Sequence, residues 1–203
     1  GVVGQCPFIA MKLVTGGDLQ SHVLKHGPVR EEQALNLLRD CAAGLGAVHS
    51  AGFISRDIKP ANILMEANGN PRISDFGVAV PIGEIATDNL IAGTPSYLAP
   101  EQVHNQSLDL RSDLYSLGAT FWYVTTGKVP FDGGSPEEIL SHLMVATEAP
   151  HLDLGSNSKA KGLTRIILHA MAFQPEKRYK NTQEIIHDCE AVLAGGEPEY
   201  AQI

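Results

Sequence analysis

Ser55-Arg56-Asp57-Ile58-Lys59-Pro60-Ala61-Asn62 is the stretch whose reading decides the fold. It sets a carboxylate, an ammonium and a carboxamide close together around a proline. Asp75-Phe76-Gly77 follows, eighteen residues after Asp57. Between them Ile63–Met65 and Arg72–Ser74 flank Ala67-Asn68-Gly69-Asn70, which predicts a short hairpin with turn-forming residues. Such a hairpin folds the chain back and lets Asp57, Asn62 and Asp75 converge on one cleft. Asn62 and Asp75 offer two oxygen ligands that suit a hard cation such as Mg²⁺, which completes its shell with phosphates and water. Asp57 is a separate carboxylate, able to orient a hydroxyl and accept its proton. Lys59 sets a positive charge where a transferring phosphoryl group accumulates negative charge.

Working outward, Ala34, Leu37, Leu38, Cys41, Leu45 and Val48 fall on one face of a long helix over Arg30–His49, stopped by Gly52. Phe8–Val14 is an apolar run of strand length, closed by Thr15-Gly16-Gly17, and Asp18 opens a short helix ending near His26-Gly27-Pro28. Asp75–Pro100 holds six Gly or Pro residues and little periodicity, which predicts mostly irregular structure, of a kind that is usually functional or mobile. Helices follow: an apolar, buried one over Ser112–Thr126, one opened by Ser135-Pro136-Glu137-Glu138, one carrying Leu163, Ile166, Ile167, Ala170 and Met171, and a last one starting at Asn181. The expected fold is mainly α, an α+β arrangement with short β-ribbons early and a helical body after them.

Composition narrows the function. The 203 residues carry a formal charge of −8, the opposite of what a global binder of nucleic acid or anionic membrane needs. Cys6, Cys41 and Cys189 are odd in number and far apart, which points to a reducing compartment. No apolar run approaches a membrane span, and Gly1–Pro7 lacks the basic-then-apolar pattern of a signal peptide. We therefore expect a cytoplasmic location, any membrane attachment coming only from sequence outside this chain. His22 and His26 sit four apart on a helix but lack a third partner for a zinc site.

The ordered motifs resemble the eukaryotic-type protein kinase family, most closely its bacterial serine/threonine members. The resemblance rests on the Asp57-to-Asn62 loop, Asp75-Phe76-Gly77, Gly93-Thr94-Pro95-Ser96-Tyr97-Leu98-Ala99-Pro100-Glu101, Arg111-Ser112-Asp113-Leu114-Tyr115-Ser116-Leu117-Gly118 and Pro175-Glu176-Lys177-Arg178-Tyr179. It implies the helical large (C-terminal) lobe of the kinase domain over 18–195, with catalytic loop 55–62 and activation segment 75–101. Residues 1–17 would be the last small-lobe strand and hinge, and 196–203 a tail. It further implies transfer of the ATP γ-phosphoryl group to Ser or Thr hydroxyls of proteins, with Mg²⁺, or Mn²⁺ in its place. Asp57 would serve as base, Lys59 and Thr94 as its catalytic partners, and Asn62 and Asp75 as metal ligands. Met11 would be the gatekeeper, Lys12 and Val14 hinge contacts to adenine, Asp18 a ribose contact and Leu64 the adenine floor. Glu101 and Arg178 are expected to form a buried ion pair, and Asp113 to hold backbone amides of the catalytic loop.

Some family features are missing or altered. There is no Gly-rich loop and no phosphate-binding Lys with its Glu partner, so a small lobe is expected in the full-length protein. Without it the chain is expected to have little activity, and Phe8, Met11 and Leu13 to be partly exposed. Ser55 replaces the usual His and should leave a smaller, more polar plug under Phe76. Arg56 is retained to receive an anion, with Thr87 as the candidate phosphosite and Asp88 as a partial mimic. The competing class is a non-catalytic binding module, a pseudokinase or truncated lobe. A small-molecule phosphotransferase is a third option, disfavoured by the peptide-positioning stretch 93–101.

Overall fold

The computed structural model describes residues 1–8, 10–83 and 93–201 of the protein. In chain order the elements are β1 (Val2–Val3), β2 (Cys6–Pro7), α1 (Leu19–His26), α2 (Glu31–Ser50), β3 (Phe53–Ile54), β4 (Ile63–Met65), β5 (Pro71–Ile73), β6 (Val80–Pro81), α3 (Pro100–Val103), α4 (Leu110–Thr126), α5 (Pro136–Val145), α6 (Ser158–Ala170) and α7 (Thr182–Leu193). The fold is mainly α, with two-stranded antiparallel ribbons β1–β2, β3–β6 and β4–β5.

Helix ends follow local chemistry. Asp18, Ser135, Asn157 and Asn181 each cap a helix by accepting backbone N–H groups of its first turn. α4 stops at Gly127, whose left-handed φ of 72° closes the last turn. α4 is buried from Ser112 to Val124 and forms the axis of the core. α2 packs along α7, and α6 against both α4 and α7. The apolar face read from Ala34 to Leu45 turns into this core. No helix among the described residues is long and apolar enough to cross a membrane.

The run Phe8–Val14 departs from its expected strand. Phe8 exchanges backbone hydrogen bonds with Gly1 at 2.8 and 2.9 Å, but residues 10–14 join no ladder and Leu13 is 83% exposed, because an extended segment needs a neighbouring edge and none of the described residues supplies one there. Just beyond it the chain does pair: Gly16 N–H donates to the Met65 carbonyl at 2.9 Å and Met65 N–H to the Gly17 carbonyl at 2.8 Å, stitching this stretch to β4. The ribbon β3–β6 was not visible in the sequence, since two-residue strands leave no alternation to read.

One buried ion pair mounts the segment that ends at α3. Arg178 donates to both oxygens of Glu101, at 2.6 and 2.7 Å, with both side chains out of solvent. Its remaining donors go to the carbonyls of Ala172, Arg111 and Phe173 at 2.6, 3.0 and 3.0 Å, so all five guanidinium N–H groups are used. Ser112 adds its hydroxyl to Glu101 at 2.7 Å, and the guanidinium lies 5.0 Å from the centre of the Tyr115 ring. Lysine keeps the charge but has neither the fork nor five donors. Arg178→Lys is therefore expected to cost about 3–5 kcal/mol of stability, read as a lower urea midpoint; an unchanged midpoint would show that the five-donor fork is not needed to hold Glu101.

Candidate active site

The loop carrying Asp57 leaves β3 and ends in a single 3₁₀ turn, Pro60–Asn62, where Pro60 sits at the first position and β4 follows at once. Two non-glycine residues here have left-handed backbones: Arg56 with φ 64° and Asp75 with φ 61°. Such conformations persist only where the surroundings over-determine them. For Arg56 the restraint is Asp113 of α4, which has no exposed surface. One Asp113 oxygen accepts the Arg56 amide at 2.9 Å, and the other accepts the Ser55 amide at 2.8 Å and faces His49 Nε2 at 2.9 Å. The Arg56 side chain reaches forward, its Nε donating to the Val78 carbonyl at 2.6 Å, and so ties this loop to the chain just past Gly77.

Four donors surround the Asp57 carboxylate. Oδ2 accepts Lys59 Nζ at 2.6 Å and Asn62 Nδ2 at 3.0 Å; Oδ1 accepts the Thr94 amide at 3.1 Å and its hydroxyl at 3.2 Å. Lys59 also donates to Thr94 Oγ1 at 2.8 Å. Asp57, Lys59, Asn62 and Thr94, picked from separate places in the sequence, thus form one interlocked group. Gly93 lets Thr94 come this close: its φ is 118°, and a Cβ there would lie 2.8 Å from the Arg56 carbonyl oxygen and 2.7 Å from Leu98.

Asn62 has both its amide hydrogens' direction committed, since Nδ2 also donates to the Asp57 carbonyl at 2.9 Å. Its Oδ1 is thereby turned away from Asp57 as an acceptor. The Asn62 carbonyl meanwhile accepts the Ser74 amide and hydroxyl, each at 2.9 Å, which brings the residue before Asp75 against it. Asp75 is exposed, and among the described residues one of its oxygens accepts the Gly77 amide, at 3.3 Å. An amide oxygen and a carboxylate fit a hard cation that keeps much of its shell for water and phosphate. They fit zinc poorly, and no cluster of three or more His, Cys, Asp or Glu among the described residues could hold a metal.

On the other side of β4, Asp18 pairs with Leu64 through an isolated bridge, and both are partly buried. The Asp18 carboxylate is engaged as a helix cap, accepting the Ser21 amide at 2.8 Å and hydroxyl at 2.7 Å. Lys12 Nζ pairs with Glu66 at 2.6 Å, and Arg72 pairs with the same carboxyl at 3.2 Å; Lys12 first, then Arg72, hold Glu66 below the usual carboxylate range. Val14 is partly buried, whereas Met11 is 73% exposed and forms no hydrogen bond to this group. Ser55 is 1% exposed and its hydroxyl has no partner among the described residues, while Phe76 is 46% exposed. Thr87 and Asp88 lie outside the described residues.

Sequence reading missed His49, Ser74 and Ser112, which all act through hydrogen bonds to partners distant in the chain. His49 falls on the buried side of α2, four residues after Leu45, where a histidine reads as ordinary core. Replacing Asp113 tests the attachment of the loop. Asp113→Asn keeps one acceptor and turns an NH₂ toward the second amide, so a loss of about 1–3 kcal/mol is expected in urea unfolding. Unchanged stability would show that the loop holds itself.

The geometry can now be set beside known proteins. A model of the protein kinase domain matches residues 5–189. The chain is 34% identical to serine/threonine-protein kinase PknB of Mycobacterium leprae over 98% of its own length and 32% of that protein. It has the same identity and coverage against PknB of Mycobacterium tuberculosis. Against PknL of Mycobacterium tuberculosis it is 34% identical over 95% of its length and 48% of that protein. The chain therefore spans between 32% and 48% of the length of these relatives. With the protein kinase domain model matched over residues 5–189 and the same family in each of these relatives, the chain belongs to the protein kinase family.

Proposed function

We propose that this chain is the catalytic large lobe of a serine/threonine protein kinase, transferring the ATP γ-phosphoryl group to Ser or Thr hydroxyls of protein substrates. The observation that carries the reading is the interlock of Lys59 and Thr94 on Asp57, supported by the serine/threonine kinases to which the chain is similar. Asp57, fixed by its four donors, orients the acceptor hydroxyl and receives its proton. Lys59 has three N–H groups and spends two of them within the site, which leaves one for an oxygen of the transferring phosphoryl group. Asn62 Oδ1 and Asp75 would hold Mg²⁺, or Mn²⁺ in its place. When bound, the ion neutralises charge on the phosphate oxygens. Asp18, Leu64 and the hinge residues Met11, Lys12 and Val14 would seat the nucleoside.

A small lobe supplied by the full-length protein completes the phosphate clamp, and the exposed Phe8, Met11 and Leu13 are the surface it would cover. ATP use and three cysteines that pair with nothing favour the cytoplasm as the place of action. A pure binding module would have no chemical use for the interlocked group around Asp57.

The test uses the full-length protein with Mg-ATP and a generic protein acceptor. Asp57→Asn is expected to lower the phosphorylation rate by about 10²–10⁴-fold while leaving ATP binding in place. Asp75→Ala is expected to raise the Mg²⁺ concentration needed for half-maximal rate. Phosphorylation that survives Asp57→Asn at full rate would overturn the proposal.

A further inference from the structure

α7 carries a buried acid that the catalytic reading does not use. Asp188 has no exposed surface, and four donors converge on its carboxylate. Oδ1 accepts the amides of Glu199 and Tyr200, at 2.7 and 3.0 Å, while Oδ2 accepts the amide of Ala201 at 2.9 Å and the Tyr179 hydroxyl at 2.8 Å. Three consecutive amides thus wrap one anion, the arrangement by which backbone alone makes an anion-binding hollow. Arg165 of α6 grips the same segment from outside, donating to the Glu197 carboxylate at 2.6 Å and the Ala201 carbonyl at 3.0 Å. Ala201 is fully buried, and the Tyr200 ring stands edge-on to His187 at 5.5 Å. Residues 197–201 are therefore a folded part of the lobe, although the family match ends at residue 189.

Tyr179, held by Asp188, is the chain neighbour of Arg178, which pairs with Glu101 of α3. Burial first, then Asp188, raises the Tyr179 hydroxyl well above the ordinary tyrosine range and keeps it a donor. Its neighbour Arg178 is the residue whose two forked donors mount Glu101. We propose that residues 197–201 are a latch closed on Asp188 and Arg165, and that the closed latch stiffens Tyr179 and, through Arg178, the mount of α3. Asp188 is on this account a positioning residue for the segment 93–101. Its consequence for substrate docking rests on the proposed kinase function; the exchange experiment below does not.

Amide hydrogen exchange on the whole 203-residue chain reads both ends of the link. Arg165→Ala removes the outer grip at a partly exposed site, and Asp188→Asn replaces the anion. In either variant the amides of 199–201 are expected to exchange about tenfold faster or more. The amides of His104 and Gln106, bonded to the Pro100 and Glu101 carbonyls, should accelerate with them, while Gly27 at the end of α1 should not change. Fast exchange at 199–201 in the unaltered chain would overturn the latch. Release of the latch with unchanged exchange at 104 and 106 would overturn the coupling. Should Asp188→Asn expose Gly27 as well, that variant has unfolded and Arg165→Ala decides.

Discussion

The amides of Ser55 and Arg56 both donate to Asp113, and what the loop carrying Asp57 presents follows from that attachment. A non-glycine residue at φ 64° does not hold its place unaided. Asp113 supplies the restraint from α4, buried from Ser112 to Val124, so the loop is fastened to the axis of the core. A carboxylate can be kept there because three partners face its two oxygens; an unpaired charge at that depth would be prohibitive. With Arg56 fixed, Asp57 is aimed, and its side chain can collect donors from three directions.

A second fastening works on the opposite side of the same group. Glu101, pinned by Arg178 and Ser112, sets where the chain enters α3, and Gly93 and Thr94 lie just upstream of that point. Thr94 needs both constraints. The mount fixes the end of its segment, and the bare Cα of Gly93 allows the approach to the Arg56 carbonyl. The interlocked group around Asp57 is therefore assembled from two chain segments, each tied to the core by a buried, fully hydrogen-bonded charge. Such anchors do not add much net stability, but removing one partner is costly, so they specify geometry.

How far the sequence disclosed this structure differed by length scale. The long helix α2, the hairpin β4–β5, the Gly127 stop and the caps at Asp18 and Asn181 were legible because periodicity, turn residues and capping side chains are local signals. Asp57, Lys59, Asn62 and Thr94 were legible through their ordered motifs, and the structure brings them together. The Glu101–Arg178 pair and the loop-holding part of Asp113 were anticipated from the same resemblance. What escaped notice depends on tertiary placement: His49 on Asp113, Ser74 on the Asn62 carbonyl, and the tail on Asp188 have no spacing rule. Phe8–Val14 shows the converse failure. Its composition favours a strand, but strand structure is a property of a pair of chains, and past Phe8, which pairs with Gly1, the described residues hold no second edge for it.

The account is tested most directly by asking which hydroxyl receives the phosphate. The full-length protein would be incubated with ATP labelled in its γ-phosphate, Mg²⁺ and a mixed protein acceptor, and the labelled product hydrolysed to its amino acids. The geometry around Asp57, with Lys59 and Thr94 closed on it, predicts label in phosphoserine and phosphothreonine. Label confined to phosphotyrosine, or to a small molecule with none in protein, would contradict it.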